Sequence, residues 1–215
     1  MRYLYLLIVL SLCYSCNNPQ ANKSVLARQQ WNSLNDSALN LMLEFTRSND
    51  TTLVEKALLI NDEMMVIDTD RKKEFSNLYL RAQILYYLGR YKENFELTGL
   101  IQNKYGSDID KMIHKGIAYK IEGKNDSAQY CLNIALDQCN NIIADSIDIV
   151  YQIADIYVIM DKKNELKKVI EELSIKYPEK AYNLSMVLES IDNTEKNLAL
   201  IFESYKKDLL RCGND

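Results

Sequence analysis

One order of residues recurs along this chain at a nearly constant step. In residues 78–106 the small Ala82 is followed three positions later by the large Leu85, and four positions after that by Gly89. The same order returns thirty-four residues on and again after a further thirty-eight, in Gly116, Tyr119 and Gly123 and then in Ala154, Tyr157 and Asp161. A period of this length is typical of folds that stack one supersecondary unit many times.

Each repeat predicts two helices joined by a short turn. The small residue suits a close crossing of the paired helix, and the large residue lies one turn further along the same face. Gly89, Gly123 and Asp161 are expected to end the first helix of their repeats, the glycines through their tolerance of positive φ. The longer second step predicts a four-residue extension near residues 140–144. With only six Gly and two Pro in 215 residues, the composition favours long helices and disfavours β-sandwiches and Gly-rich nucleotide folds.

This order and spacing resembles the tetratricopeptide repeat (TPR) over residues 34–210. An earlier unit is recognisable in its second helix at residues 55–68, and a degenerate last unit in Ser185, Leu188, Asp192 and Ile201. The resemblance implies an all-α fold, a right-handed superhelical solenoid of antiparallel helix hairpins, over residues 34–215. A plain antiparallel bundle would share the amphipathic pattern but lack the recurring order of small residue, large residue and turn residue.

The first fifteen residues differ from the rest. Arg2 and the mainly apolar residues 6–12 are predicted to form a short export signal. This apolar run is too short to cross a bilayer, which needs about 20 apolar residues. The following Cys13-Tyr14-Ser15-Cys16 resembles the bacterial lipobox, which implies removal of residues 1–15 and acylation of Cys16. An ordinary signal peptide and a retained anchor are the alternatives.

Residues 16–33 are predicted to be an acylated N-terminus and polar tether, since residues 17–24 show no apolar periodicity. By resemblance to lipoprotein sorting, Asn17 is not the aspartate that commonly holds such proteins in the inner membrane. The acidic cluster that often sends Bacteroidetes lipoproteins to the cell surface is also absent. The expected location is therefore a lipid-anchored, periplasm-facing one, in the outer rather than the inner membrane.

No combination of residues indicates catalysis, a cofactor or a metal. The chain has one histidine, His114, and lacks a phosphate-binding loop, a nucleophile elbow and a helical His pair. His114 is interpreted as an exposed or groove-edge residue, and Glu171-Glu172 as a solvated face. Cys131 and Cys139, eight apart on one helix, are too distant for a disulfide with each other and are interpreted as small buried hydrophobes. A net charge of −4 without a basic patch argues against nucleic-acid binding.

The TPR resemblance implies that the first helices line a concave surface that holds a protein or peptide partner. The side chains predicted to face outward there are Tyr79, Gln83, Tyr86, Tyr87, Ile113, Ile117, Lys120, Tyr151, Asp155 and Val158. Tyr and Ile dominate this set, which suits an apolar or aromatic ligand surface. Packing against neighbouring hairpins is the alternative for each of them.

Three functional hypotheses follow from these patterns. The first is a membrane-anchored, non-enzymatic scaffold or adaptor that docks an envelope protein. The second is a periplasmic immunity or inhibitor lipoprotein that neutralises a toxin. The third, a hydrolase that uses buried carboxylates, would require a formed pocket with two carboxyls of perturbed pKa.

Three Asp-Ser pairs allow two interpretations. Asp36-Ser37-Ala38, Asp126-Ser127-Ala128 and Asp145-Ser146-Ile147 resemble the sequon of periplasmic O-glycosylation in Bacteroidetes. They also stand where helices are expected to begin, so that their side-chain oxygens would serve as N-caps.

Overall fold

The computed structural model describes residues 19–67, 74–143, 149–178 and 181–212, in which nine α-helices and no strand occur. The helices are α1 (Pro19–Ser48), α2 (Thr51–Ile67), α3 (Phe75–Tyr87), α4 (Tyr91–Tyr105), α5 (Asp108–Ile121), α6 (Asn125–Ile142), α7 (Ile149–Ile159), α8 (Lys163–Lys176) and α9 (Ala181–Cys212). The predicted all-α class is confirmed. Along the described residues, no helical segment combines the length and apolarity that crossing a bilayer requires. The predicted signal peptide, Cys16 and the Asp145-Ser146 pair lie outside the described residues.

The three predicted turn residues end their helices as expected. Gly89, Gly123 and Asp161 have positive φ values of 70°, 75° and 60°. The N–H groups of Gly123 and of the next residue donate to carbonyls three and five positions earlier, at 3.0 and 2.8 Å. Those of Asp161 and its successor do the same at 3.0 and 2.9 Å. This is the Schellman arrangement of a helix C-terminus, here repeated at equivalent positions.

The predicted close crossing at the small residue is also present. A Cβ placed on Gly116 of α5 would lie 2.7 Å from Cγ of the buried Leu132 on α6, so only glycine permits this approach. The equivalent Ala154 of α7 is buried too. The extra residues of the longer repeat lengthen α6, which has 18 residues against 15 in α4.

The prediction of a polar tether is wrong for residues 19–33, because α1 already begins at Pro19. Trp31, inside the supposed tether, is buried. The N-cap interpretation of Asp36-Ser37 is wrong as well: both residues lie inside α1, and the Ser37 hydroxyl donates to the Ser33 carbonyl at 2.8 Å. The last predicted repeat unit is one continuous helix of 32 residues, α9, rather than a hairpin.

The chain divides into two compact units, residues 1–89 and 90–215, and the boundary falls inside the first clear repeat. In the described part of the first unit, α1 and α2 form a hairpin across the turn at Asn49, which has a positive φ of 55°. Helix α3 packs on α2. Their shared core contains the buried Met42, Val54, Leu80 and Ile84.

The second unit contains α4 to α9 around a larger core. Its fully buried members include Leu132, Ile153, Ile156, Leu166 and Leu184. Helices α5 and α6 form the tightest pair, and α9 packs against α7, α8 and α4. Because α9 touches helices from both ends of the unit, it ties together elements that are distant in sequence.

Candidate protein-binding surface

Helix α3 presents aromatic side chains to solvent, as the sequence predicts. Tyr79 is 51% exposed and Tyr87 44% exposed, while Gln83 between them is also exposed and Tyr86 is half-buried. Sequence reasoning missed Phe75 at the start of the same helix, which is 48% exposed. Its spacing of four residues from Tyr79 was the available signal, since side chains four apart share a helix face.

These rings contact one another. Phe75 stacks on Tyr79 with ring centroids 5.8 Å apart, and Tyr86 meets Tyr87 edge-on at 5.5 Å. Tyr87 also meets Phe45 of α1 edge-on at 4.9 Å. We call Phe45, Phe75, Tyr79, Tyr86 and Tyr87 the first-unit aromatic surface. Because each ring is held by a neighbour, these side chains lose little conformational freedom when a partner covers them.

A buried polar network fixes α3 to α2 beneath this surface. Asn61 and Asn77 are fully buried, and Asn61 Nδ2 donates to Asn77 Oδ1 at 2.8 Å. Arg81 Nη1 donates to Asn61 Oδ1 at 2.8 Å and pairs with Asp62 Oδ1 at 2.6 Å. The network satisfies buried polar atoms and sets the register of the two helices.

In the second unit, the predicted groove residues do not form an open surface. Val158 is only 4% exposed, and Ile113 and Ile117 are half-buried against the core. Helix α9 contributes Leu184, Val187, Ile191 and Leu198 to the same core, and its Ile201 lines a cavity together with Ile113 and Ile117. The expectation of an exposed groove at these positions is therefore wrong for this unit.

Polar and aromatic contacts join α9 to α7, α8 and α4. The Thr194 hydroxyl donates to Asp155 Oδ1 on α7 at 2.9 Å. Glu195 forms an ion pair with Lys163 of α8. At the far end, the Tyr205 ring meets Phe95 of α4 edge-on with centroids 6.2 Å apart.

Lys120 and Tyr151 differ in their accessibility. Lys120 Nζ donates to the Ile159 carbonyl and pairs with Asp161 Oδ2 at 2.6 Å, so this cation is held at the C-terminus of α7. A cation there stabilises the negative end of the helix dipole. Tyr151, at the start of α7, is 40% exposed.

His114, which the sequence predicts to be exposed or at the edge of the groove, is not exposed and lines a cavity. Its ring is half-buried and stacks on Phe95, with centroids 4.1 Å apart and planes inclined by 13°. The Nε2–H group donates to the Phe95 carbonyl at 3.0 Å. Burial lowers the pKa of His114, against the opposing effect of that hydrogen bond. A Cβ on Gly99 would lie 2.5 Å from His114 Cε1, so the glycine makes room for the ring.

The two cysteines of α6 are buried and the Glu171-Glu172 pair is exposed, as the sequence predicts. Cys131 and Cys139 are buried free thiols on α6, and burial, together with nearby Asp110, raises the pKa of Cys139 to about 11. A thiol of such high pKa is unreactive at neutral pH. Glu171 and Glu172 are exposed.

Within the described ranges, no group of three or more His, Cys, Asp or Glu side chains is arranged to hold a metal.

Comparisons of this chain with protein-family models, with curated proteins and with solved structures found no match.

Proposed function

We propose that this chain is a membrane-anchored, non-enzymatic scaffold or adaptor of the bacterial cell envelope that docks another protein on the first-unit aromatic surface. The observation that carries the proposal is that Phe75, Tyr79 and Tyr87 lie on one firmly packed helix and are each about half exposed. Aromatic side chains that cluster on a rigid element are the commonest hot spots of protein interfaces. The groove residues Ile113 and Ile117 of the second unit are half-buried against its core and Val158 is buried in it, so they do not compete for this role.

The form of the partner is an amphipathic helix. Support comes from α9, which packs against α7 and presents Leu198, Ile201 and Phe202, spaced three and four residues apart, to the core of the second unit and the adjoining cavity. Helix-in-groove recognition uses such anchors at intervals of three, four and seven residues. A partner helix on the first-unit aromatic surface would present the same spacing to Tyr79 and Tyr87.

We also propose that the hairpins are of the tetratricopeptide type and form a right-handed superhelical solenoid. The repeated C-terminal geometry at Gly89, Gly123 and Asp161 and the close crossing at Gly116 support this finer description. One such hairpin cannot bury its apolar face alone, which favours stacking.

The anchor is proposed to be an acylated Cys16 that places the chain on the periplasmic side, in the outer membrane. Cys16→Ser is expected to abolish incorporation of labelled palmitate. The chain should then either remain an unprocessed precursor or, if processed, leave the membrane, because lasting attachment needs two or more acyl chains. Cys13→Ser is the matched control and should retain the label. Label retained in Cys16→Ser, or lost in Cys13→Ser, would contradict the assignment of the anchor.

The docking site is tested by a photoreactive benzoylphenylalanine placed at Tyr79 and, as a control, at the exposed Tyr130 of α6. In native envelopes, position 79 is expected to give one discrete adduct with another protein, and position 130 none. Once that partner is purified, Tyr79→Ala with Tyr87→Ala should weaken binding by about thirtyfold or more, as truncation of hot-spot aromatics does.

Equal adducts at both positions, or an unchanged dissociation constant for the double variant, would remove the first-unit aromatic surface from consideration. An exported toxin as the linked protein, with protection on expression, would replace the scaffold role by that of an immunity protein.

A further inference from the structure

Helix α1 begins close to the proposed acylation site. Its first residue, Pro19, is only three residues after Cys16. Three residues of fully extended chain span at most about 10 Å. Acyl chains on Cys16 would therefore hold the N-terminus of α1 within about 10 Å of the lipid headgroups, because no long tether separates the two.

The turns of α1 nearest to this point are not covered by the rest of the described chain. Of residues 25–30, Ala27 is half-buried and the other five are exposed. Trp31, directly after them, is buried. Most of the stability of helices in proteins comes from packing of an apolar face rather than from intrinsic propensity. A surface that covers residues 25–30 would therefore stabilise this end of α1.

The uncovered side of these turns carries two large apolar side chains. Val25 is 52% exposed and Leu26 is 64% exposed. At about 100° per residue, they are rotated about 120° and 140° around the helix axis from the buried Trp31. Gln29, which is also exposed, falls between them in this projection. The side of α1 that faces away from Trp31 is thus apolar or uncharged at positions 25, 26 and 29.

The charge of this part of the sequence is positive. Between positions 16 and 35 the charged residues are Lys23 and Arg28, and Arg28 is exposed. The first acidic residue is Asp36, about 15 Å further along the helix than Leu26. Helices that lie in a membrane interface combine exposed apolar side chains with Lys and Arg in this way.

Other exposed apolar side chains of the first unit have acidic neighbours. Leu59 and Val66 of α2 are 69% and 79% exposed. Glu55 and Glu63, both exposed, stand four residues before and after Leu59 and therefore share its side of the helix. An anionic surface would repel this side of α2, so exposure alone does not distinguish the two helices but charge does.

We propose that the N-terminal turns of α1, up to Gln30, lie on the surface of a bilayer that contains anionic phospholipid. Val25 and Leu26 would contact the outermost acyl carbons, and Arg28 the headgroup phosphates. This inference rests on the proposed anchor at Cys16. The anchor makes the contact intramolecular, so that a few weak interactions suffice to hold the helix on the lipid. An upright α1 would instead place Leu26 up to about 20 Å from the bilayer.

The test uses the whole processed chain in vesicles of phosphatidylcholine and phosphatidylglycerol, with photoreactive benzoylphenylalanine at position 26. Position 59 of α2, at least as exposed, is the matched control. Position 26 is expected to give a phospholipid adduct that mass spectrometry identifies, and position 59 none. In vesicles of phosphatidylcholine alone, the adduct yield at position 26 should fall by about tenfold, because the attraction of two cations to the lipid is lost.

Arg28→Glu reverses one of these charges and should lower the adduct yield at position 26 by about tenfold or more in the mixed vesicles. Lys56→Glu, at an exposed position of α2, is the control for this substitution and should leave the yield unchanged. Both side chains are exposed, so neither change should disturb the fold.

Absence of the lipid adduct from a chain that carries the palmitate label would overturn this proposal and leave the anchor standing. Equal adducts at positions 26 and 59, equal yields with and without phosphatidylglycerol, or a protein adduct in place of the lipid would also overturn it. Absence of the label from the natural chain would overturn both. Tyr79→Ala with Tyr87→Ala should leave the lipid adduct unchanged, so failure of the docking surface is distinguishable as well.

Discussion

Phe95→Ala is expected to lower the free energy of unfolding by about 3–5 kcal/mol, the range typical of removing a buried phenylalanine. Phe95 is 6% exposed and lies where three helices of the second unit meet. Its ring stacks on His114 of α5 and meets Tyr205 of α9 edge-on, while its carbonyl accepts the hydrogen bond from His114. Alanine would keep the carbonyl but leave a void against both rings.

The measurement is urea denaturation followed by far-UV circular dichroism, with the change taken from the midpoint at a constant m-value. Phe75→Ala is the matched control, because this phenylalanine is about half exposed and its loss should cost less than about 1 kcal/mol. Comparable losses in the two variants would mean that Phe95 does not join α4, α5 and α9.

Asn77→Ala is expected to destabilise the first unit by about 2–4 kcal/mol. The substitution leaves the buried Asn61 Nδ2 without its acceptor, which costs about 1–3 kcal/mol, and adds a small void. Asn61→Ala should cost a similar amount, since it also deprives Arg81 Nη1 of one acceptor. Because each single variant breaks the same bond, the double variant should fall short of the sum by about 1–3 kcal/mol.

The fluorescence of Trp31 reports this transition, because the only tryptophan of the chain is buried in the first unit. Asn133→Ala, at an exposed site of α6, is the control and should change stability by less than about 0.5 kcal/mol. Strict additivity of the two buried substitutions would show that the asparagines are not coupled.

Features set by local chemistry were predictable from the sequence. A residue in the left-handed region ends a helix, because the N–H groups there bond to carbonyls of the helix's last turn. The helix ends at Gly89, Gly123 and Asp161 therefore depend on local sequence alone. The same holds for Gly116, whose lack of a side chain indicates a close neighbour before that neighbour is known. The exposure of Tyr79 and Tyr87 was predictable from their positions relative to Ala82.

Other local signals were present but not recognised. Trp31, Ala38, Met42 and Phe45 follow one another at intervals that mark a helix face, yet the lack of apolar periodicity in residues 17–24 led to the prediction of a tether that includes Trp31. The cap of α5 is a reciprocal pair between Ser107 and Asp110, an Asp variant of the familiar Ser–Glu capping box.

The packing of α9 in the second unit could not be predicted in the same way. Counting positions within a hairpin predicts which side chains of α5 and α7 face away from their own partner helices. It does not reveal that a helix from the end of the chain returns to pack against α4, α7 and α8, since that contact depends on the path of the whole chain. The cavity could not be predicted for the same reason, because its polar groups come from three helices.

The account depends on α9 lying packed against α4, α7 and α8 in the second unit, with the first-unit aromatic surface as the proposed docking face. Amide hydrogen exchange of residues 195–205 in the unbound chain tests this most directly. If α9 is packed as described, these amides should be protected to within about tenfold of those in the core of α5, because both open only when the second unit opens. Exchange hundreds of times faster, as in an isolated helix that frays in water, would show that the groove is free and contradict the account.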